Sequence, residues 1–237
     1  MVAAVIVAGG IGKRMSIPLP KQFLEIKGKP LIFYTIRAFQ VSEVIQEICL
    51  VVPANMEDKE EHIKKVLKDL DNFKPKKLRY IIDGGSTRQE SVWNGLCALV
   101  SKPKYVAIHD ASRPLVTPAL IEKVARAAQR YGAAVPVIPV RDTIKRINEG
   151  KVIATLGKEG LAIVQTPQVF LYEAILEAHH FAMKKGIKDA PDDAYLLELA
   201  GKDIFLVEGE EWNLKLTFAS DLPIIETLLS KACHEKD

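Results

Sequence analysis

The sequence predicts an α/β fold, a doubly wound and mostly parallel sheet from which one β-hairpin protrudes. Three observations predict it. A wholly apolar run such as Val2 to Ala8 suits a strand covered on both faces, not one with a wet face. Such runs alternate with stretches of helical period through the first five strands, the signature of a sheet with helices on its faces. The alternation then breaks: Asp142 to Arg146 and Lys151 to Thr155 flank Ile147-Asn-Glu-Gly150, a turn with Asn and Gly that reads as a hairpin.

Each element has its own local reason. Val2 to Ala8 runs into Gly9-Gly10 and a polar, Gly- and Pro-marked loop as far as Lys29. Pro30-Leu31 opens a helix with Leu31, Tyr34, Thr35 and Ala38 on one face. Glu47 to Val52 is a second strand, and Glu57 to Leu70 a charged helix with Ile63, Val66, Leu67 and Leu70 inward. Leu78 to Ile82 is a third strand. Ser86-Thr-Arg-Gln89 has capping-box spacing ahead of a helix burying Val92, Leu96, Leu99 and Val100. Tyr105 to His109 is a fourth strand, and Thr117-Pro118 supplies a cap and a first-turn proline for a helix through Arg130. Ala133 to Val140 is a fifth strand. After the hairpin come helices over Leu171 to Lys185 and Asp192 to Ala200, a strand over Ile204 to Val207, and a last helix capped by Ser220-Asp221 and running through Lys231. Without repeat, low-complexity tract or linker, the expectation is one Rossmann-like domain over residues 1–237 with an arm at about 140–160.

Composition narrows the function. Lys+Arg 33 against Asp+Glu 30 leaves a formal charge of +3, too even for a bulk nucleic-acid binder. A 48% hydrophobic share in 237 residues supplies a core that needs no disulfide or structural metal. Cys49, Cys97 and Cys233 are far apart and form no CxxC pair, so a reducing cytoplasm is expected. The longest wholly apolar run, Met1 to Ala8, falls well short of the roughly 18–20 residues of a membrane span. No basic region precedes it, so it is not read as a secretory signal. Neither a membrane nor a nucleic acid is expected as partner.

The chemistry sits where strands end. Ligands of open α/β sheets bind at the carboxyl ends of strands, and the first strand ends in Val7-Ala-Gly-Gly-Ile-Gly-Lys-Arg-Met15. The dinucleotide fingerprint fails there because Met15 takes the third glycine position. The Walker loop fails because Val7 replaces its first glycine and Arg14 its Ser/Thr. What remains is a glycine loop with Lys13 and Arg14, followed by Lys21, cations beside exposed amides that suit a triphosphate. The fourth strand ends in His109-Asp-Ala-Ser-Arg-Pro114, where Asp110 could hold Mg²⁺ on substrate phosphates or pair with Arg113 as a turn residue. His109 reads as structural, since no second His or Cys stands at metal spacing. Gly84-Gly-Ser-Thr-Arg-Gln-Glu-Ser91 is a second glycine turn into a helix. Asp142-Thr-Ile-Lys145 opens the hairpin, and Trp212-Asn-Leu-Lys-Leu-Thr217 precedes the last helix.

Taken in order, AGGIGKRM, PKQFLEIKGKPL, GGSTRQESVWNGL, HDASRPLV, PVRDTIK, QTPQVF and NLKLTFASDL span the chain. The set resembles the cytidylyltransferases that activate 2-C-methyl-D-erythritol 4-phosphate in the non-mevalonate isoprenoid pathway. The resemblance implies that Ala8, Gly9, Gly10 and Gly12 wrap CTP, that Gly85, Ser86 and Ser91 contact the cytidine, and that Asp110 and Ala111 lie against the nucleotide. It implies Arg14, Lys21 and Lys215 as the catalytic cations, the last at the nucleotide α-phosphate, and Asp110 beside Mg²⁺. It puts Asp110, Arg113, Thr143, Lys158 and Thr166 around the polyol phosphate. It also implies a homodimer in which the arm completes the partner's site. The family pattern has an arginine where this chain has Lys158, and a Thr-Asp pair where it has Pro191-Asp192. Ribitol-5-phosphate cytidylyltransferases share an AGG loop and an HDS-like motif, and form the alternative reading. GGSTRQESV and RDTIK favour the methylerythritol enzyme.

Overall fold

A computed structural model describes residues 1–9, 20–71 and 76–234. The first strand, β1 (Val2–Val7), is entirely buried. A single 3-10 turn at Lys21–Phe23 and two short strands, β2 (Glu25–Ile26) and β3 (Lys29–Pro30), lead to α1 (Leu31–Val41). There follow β4 (Ile45–Val52), α2 (Lys59–Leu70), β5 (Leu78–Asp83), α3 (Arg88–Ala98), β6 (Tyr105–Asp110), α4 (Pro118–Tyr131) and β7 (Ala133–Pro139). The hairpin is β8 (Ile144–Asn148) and β9 (Lys151–Leu156). The chain continues through β10 (Ala162–Val164), β11 (Gln168–Leu171), α5 (Tyr172–Lys184), α6 (Asp193–Leu199), β12 (Phe205–Glu208) and α7 (Asp221–His234).

The main sheet has the order β10-β7-β11-β6-β1-β4-β5, with β12 also paired to β7. The β1–β4, β1–β6, β4–β5 and β12–β7 pairs are parallel, whereas β10 and β11 pair antiparallel with their neighbours. Period-two alternation divides the core. Val2, Ala4 and Ile6 of β1 face the layer containing α1, α2, α4 and α7, where Ile36, Val66, Val124 and Ile225 pack. Ala3, Val5 and Val7 face α3, α5 and α6 through Val92, Leu96, Ile175 and Leu197. A strand buried on both faces needs apolar residues at every position, which is why β1 reads as a continuous run.

The sheet also fixes where a ligand can sit. β1 and β6 are neighbours, but the chain leaves β1 towards β4 and leaves β6 towards β7 on the opposite side. Their carboxyl ends therefore border the crevice that open α/β sheets use for ligands. Register brings the ends level: Val7 stands opposite both Val51 and Asp110, and Val52 opposite Asp83. Beyond each end the next amide turns back onto the adjacent strand. Ala111 N–H donates to the Val7 carbonyl (2.9 Å), Ala8 to Val51 (2.7 Å) and Gly84 to Val52 (2.7 Å).

Several local expectations are corrected. Thr87, not Ser86, caps α3: its hydroxyl accepts from Glu90 N–H at 3.0 Å, and the Glu90 carboxylate accepts from Ser86 N–H and Oγ at 2.7 and 2.6 Å. The box is shifted by one residue because Glu, ionised, is a stronger acceptor than Gln89. Val100 is 78% exposed, since α3 ends at Ala98 and the chain has turned away. Leu67 is exposed while Val66 and Leu70 are buried, so α2 presents a narrower apolar stripe than expected. The helix expected from Leu171 starts at Tyr172, because Gln168–Leu171 is a strand wedged between β6 and β7.

Candidate active site

At the carboxyl end of β6 the Asp110 side chain is 10% exposed and ringed by cations. Arg88 Nε lies 3.0 Å from Oδ1, Lys215 Nζ 2.7 Å from Oδ2, and Arg113 Nε 3.9 Å from Oδ2. Burial opposes ionisation of this carboxyl, but Arg88, Lys215 and Arg113 outweigh it and hold it well below the usual carboxylate range. Asp110 is therefore an anion at neutral pH. Arg88 reaches from the first turn of α3 and also contacts Asp193 Oδ2 at 2.8 Å, in the first turn of α6.

Behind Asp110 a polar chain fixes the strand end. Thr166 Oγ1 accepts from Asp110 N–H (3.2 Å) and lies 2.9 Å from His109 Nδ1, while His109 Nε2 lies 3.4 Å from the Arg113 carbonyl. Burial first, then the nearby Arg113 and Lys215 cations, push the His109 imidazole down to about 3, so it is neutral. A carbonyl only accepts, which assigns the proton to Nε2; Nδ1 then accepts from the Thr166 hydroxyl. That hydroxyl has spent its one proton and keeps one lone pair. Arg113 Nη1 donates to the Asn213 carbonyl at 2.8 Å, and Asn213 Nδ2 donates to the Thr166 carbonyl at 2.8 Å. His109 is structural, as its sequence context indicated.

These groups border a cavity of about 370 Å³ whose walls include Arg88, Asp110, Arg113, Thr166, Tyr195 and Lys215. The first loop joins it from the other side. Lys21 Nζ donates to the carbonyl of Leu216, the residue after Lys215, and Gln22 Nε2 donates to the carbonyl of Ala8. Lys21 is thus anchored beside the Lys215 segment and not merely presented to solvent. The second glycine turn converges on the first: a Cβ on Gly9 would lie 2.9 Å from Ser91 Oγ, and one on Gly84 2.8 Å from the same atom. Only glycine lets the two backbones come this close. Gly85 N–H donates to Ser91 Oγ at 3.1 Å, and that hydroxyl donates to the Thr87 carbonyl at 2.8 Å.

Of the residues singled out in the sequence, Asp110, Arg113, Thr166 and Lys215 therefore share one cavity, with Lys21 beside it. Ala8, Gly9, Gly85, Ser86, Ser91 and Ala111 form the adjoining loops at the ends of β1, β5 and β6. Gly10, Gly12, Lys13 and Arg14 lie outside the described residues. Thr143 and Lys158 are exposed at the base of the hairpin and do not line the cavity; Lys158 Nζ donates to the Arg141 carbonyl of its own chain. Arg88, Asp193 and Asn213 escaped functional assignment in the sequence. The signal for Arg88 was a cation inside the second glycine turn, visible but overshadowed by the capping pattern.

A family model of 2-C-methyl-D-erythritol 4-phosphate cytidylyltransferase matches residues 2–231. The chain belongs to that family. A relative bearing that enzyme's name from Clostridium botulinum (strain Loch Maree / Type A3) is 44% identical over 230 residues, 97% of each chain. One from Geobacillus kaustophilus is 40% identical over 232 residues, 98% of each. Among solved structures, the Thermus thermophilus enzyme of this name superposes with a TM-score of 0.76 at 33% identity, over 95% of this chain and 98% of the other. The 4-diphosphocytidyl-2C-methyl-D-erythritol synthase of Anaerococcus prevotii gives a TM-score of 0.82 at 28% identity, over 97% and 96%. The chain is a nucleotidyltransferase of mixed α/β fold, and the family match does not favour the ribitol alternative.

Proposed function

We propose that this chain transfers CMP from CTP to 2-C-methyl-D-erythritol 4-phosphate, releasing pyrophosphate, as a step of isoprenoid-precursor synthesis. The observation that carries the reading is the ionised Asp110 set among Arg88, Arg113 and Lys215 at the strand-end crevice of a chain in this family. Such a site suits an anionic acceptor that also has hydroxyls. Arg113 and Lys215 attract phosphate, while Asp110 accepts from an acceptor hydroxyl and sets its register.

The reaction needs no nucleophilic side chain. A phosphomonoester is largely dianionic at neutral pH, its second pKa being about 6. One of its oxygens bonds to the α-phosphorus of CTP, the bond from that phosphorus to the bridging oxygen breaks, and the electron pair leaves with pyrophosphate. The protein's part is to hold two anions in line and to offset charge growing on the transferred group. Lys215 and Lys21 carry that role beside the cavity, with Arg14 from the first loop. Arg113 holds the acceptor. Thr166, its proton given to His109, accepts from a donor but offers none to a phosphate. Ala8 and Gly9, at the end of β1, lie against the triphosphate in this reading, as the family resemblance implies for Gly10 and Gly12. Gly85, Ser86 and Ser91 shape a turn narrow enough for a pyrimidine, with Asp110 and Ala111 at its edge.

Mg²⁺ fits this donor set as an ion carried mainly by the nucleotide. Asp110 is ionised, and Arg88 and Lys215 take about two of the roughly four lone-pair sites of its carboxylate. Mg²⁺ commonly uses one or two carboxylates plus phosphate oxygens, and Asp110 is a carboxylate at this cavity. Asp110 would hold Mg²⁺ there, and the ion would supply charge stabilisation for the leaving pyrophosphate.

The exposed hairpin and Lys158 belong to a homodimer in this reading, with the arm and Thr143 delivered to the partner's acceptor site. Among the described residues no helix is long and apolar enough to cross a membrane. Free thiols at Cys49 and Cys97 suit a cytoplasmic enzyme. The test is pyrophosphate release with Mg²⁺ and CTP, ATP or GTP, against methylerythritol phosphate and ribitol phosphate. Release is expected with CTP and methylerythritol phosphate. Equal turnover with ATP, or preference for ribitol phosphate, overturns the reading.

A further inference from the structure

Arg88, a cation on Asp110 that no sequence motif singled out, is held from behind by a carboxylate with no access to the cavity's solvent. Asp193 is 1% exposed, and so is the side chain of His179, whose Nε2 lies 3.6 Å from Asp193 Oδ1. The Arg88 guanidinium bridges the two acids, with Nε on Asp110 Oδ1 at 3.0 Å and Nη2 on Asp193 Oδ2 at 2.8 Å. Burial opposes its charge, but Asp193 and then Asp110 outweigh burial and raise it above its ordinary value; Arg88 is a permanent cation. Asp193 in turn is held below the usual carboxylate range by Arg88 against the cost of burial.

A buried ion pair is weak evidence for stability, because well-packed apolar residues of similar volume serve as well or better. What apolar residues lack is a fixed direction. A planar guanidinium presents its donors in a rigid fork, so holding one nitrogen orients the next. Here Nη2 is held by the Asp193 charge at the start of α6, and Nε donates to the carboxylate that the proposed mechanism uses. The inner end is itself clamped. Gln168 Oε1 accepts from the Asp193 and Ala194 amides at 3.2 and 3.1 Å, and Gln168 Nε2 donates to Asp192 Oδ2 at 2.8 Å, which fixes the start of α6 on β11.

We propose that Asp193 and Arg88 are positioning residues that fix the rotamer of Asp110 for the acceptor polyol. Asp193 acts on Arg88, Arg88 acts on Asp110, and of these three only Asp110 touches substrate. This rests on the functional reading above.

The test is a kinetic cycle on the full chain with CTP, Mg²⁺ and methylerythritol phosphate, using Asp193→Asn, Arg88→Lys, Asp110→Asn and the doubles that pair each of the first two with Asp110→Asn. Asp193→Asn keeps the side-chain shape and removes the charge; Arg88→Lys keeps the charge and removes the fork. Each single variant should lower kcat/KM for the acceptor by about 10²-fold, the loss expected when a reacting group is misplaced by about 1 Å. Each double should be no worse than Asp110→Asn alone, since the effect passes through Asp110. Losses that multiply in the doubles overturn the proposal. A crystal structure of the Asp193→Asn chain reads the Asp110 rotamer whether or not the chain turns over. Asp110 should leave Arg88; an unmoved Asp110 sinks the relay even if the enzyme is active. Should Asp193→Asn not fold, Arg88→Lys, still charged and a quarter exposed at its side chain in the native chain, carries the same comparison. Failure of wild-type turnover with a displaced Asp110 in the variant would instead discard the assigned reaction and keep the relay.

Discussion

Asp110 was legible because a carboxylate directly after an apolar strand, three residues before an arginine, stands where α/β sheets bind ligands. Its partners were less so. Lys215 could be named only through the family resemblance, and Arg88, 22 residues away in sequence, looked like part of a helix start. Both meet Asp110 through tertiary contacts that no local pattern encodes. Lys21 was legible as a cation near a glycine loop, but not as the donor to the Leu216 carbonyl that ties the loop to the Lys215 segment. That tether adds a consequence to its loss. Lys21→Ala should lower kcat by about 10²-fold or more, the usual loss on removing a preorganised charge-stabilising group. Because Leu216 is fully buried, its carbonyl then loses a donor, and the fold should lose about 1–3 kcal/mol in denaturant titrations. A folded Lys21→Ala chain with near-normal kcat in steady-state assays removes Lys21 from the mechanism.

At the scale of elements, strands buried on both faces announced themselves, because β1 and β4 have no wet face to interrupt the apolar run. β10 and β11 did not. They are 3 and 4 residues long, separated by Gln165-Thr-Pro167, and too short for a period to register. Pairing sets their places, β10 on the outer side of β7 and β11 between β7 and β6, and Thr166 reaches the site from the link between them. Helix packing was legible only in outline, since the sequence marks an apolar stripe but not how near the helix lies. Gly95 measures that distance. A Cβ there would fall inside the van der Waals shell of Val5 and meet Val51 Cγ2 at 3.0 Å, so α3 rests directly on β1 and β4. Gly95→Ala should gain helix propensity, by about 1 kcal/mol. Against this stands overpacking of a dense core, which costs about 1–3 kcal/mol. Overpacking wins, because the obstacles are branched side chains of central strands with nowhere to move. The variant should melt below wild type in calorimetry. It should also raise KM for CTP, since the same helix carries Ser91 and the turn at Gly84 and Gly85. A melting point equal to or above wild type shows that α3 can lift without penalty.

Over the whole molecule, the hairpin marks where one chain stops being sufficient. β8 and β9 form a separate two-stranded sheet, and Ile147, Val152 and Ile153 on it are 68%, 62% and 59% exposed. An isolated two-stranded ribbon is marginally stable in water, so this one needs a surface to lie on. A second copy can supply it, and two-fold dimers are the commonest assembly. The single chain also leaves Thr143 and Lys158 away from the cavity that Asp110 and Arg113 line, so in the proposed dimer the partner's arm would bring them to the acceptor. The Lys158 ammonium now donates to Arg141 of its own chain, and a dimer would redirect it to a phosphate. As a point charge without a bidentate fork, Lys158 contributes binding more than alignment. Lys158→Ala should then raise KM for the acceptor and leave kcat and KM for CTP nearly unchanged, the mark of lost ground-state binding. Lys158→Arg should match or improve on wild type. Sedimentation should give a dimer for wild type and for both variants, because in the proposed dimer the apolar hairpin residues, not Lys158, would hold the copies together. A monomer at assay concentration with full activity, or an unchanged acceptor KM in Lys158→Ala, defeats the idea that one chain's arm completes the other chain's site.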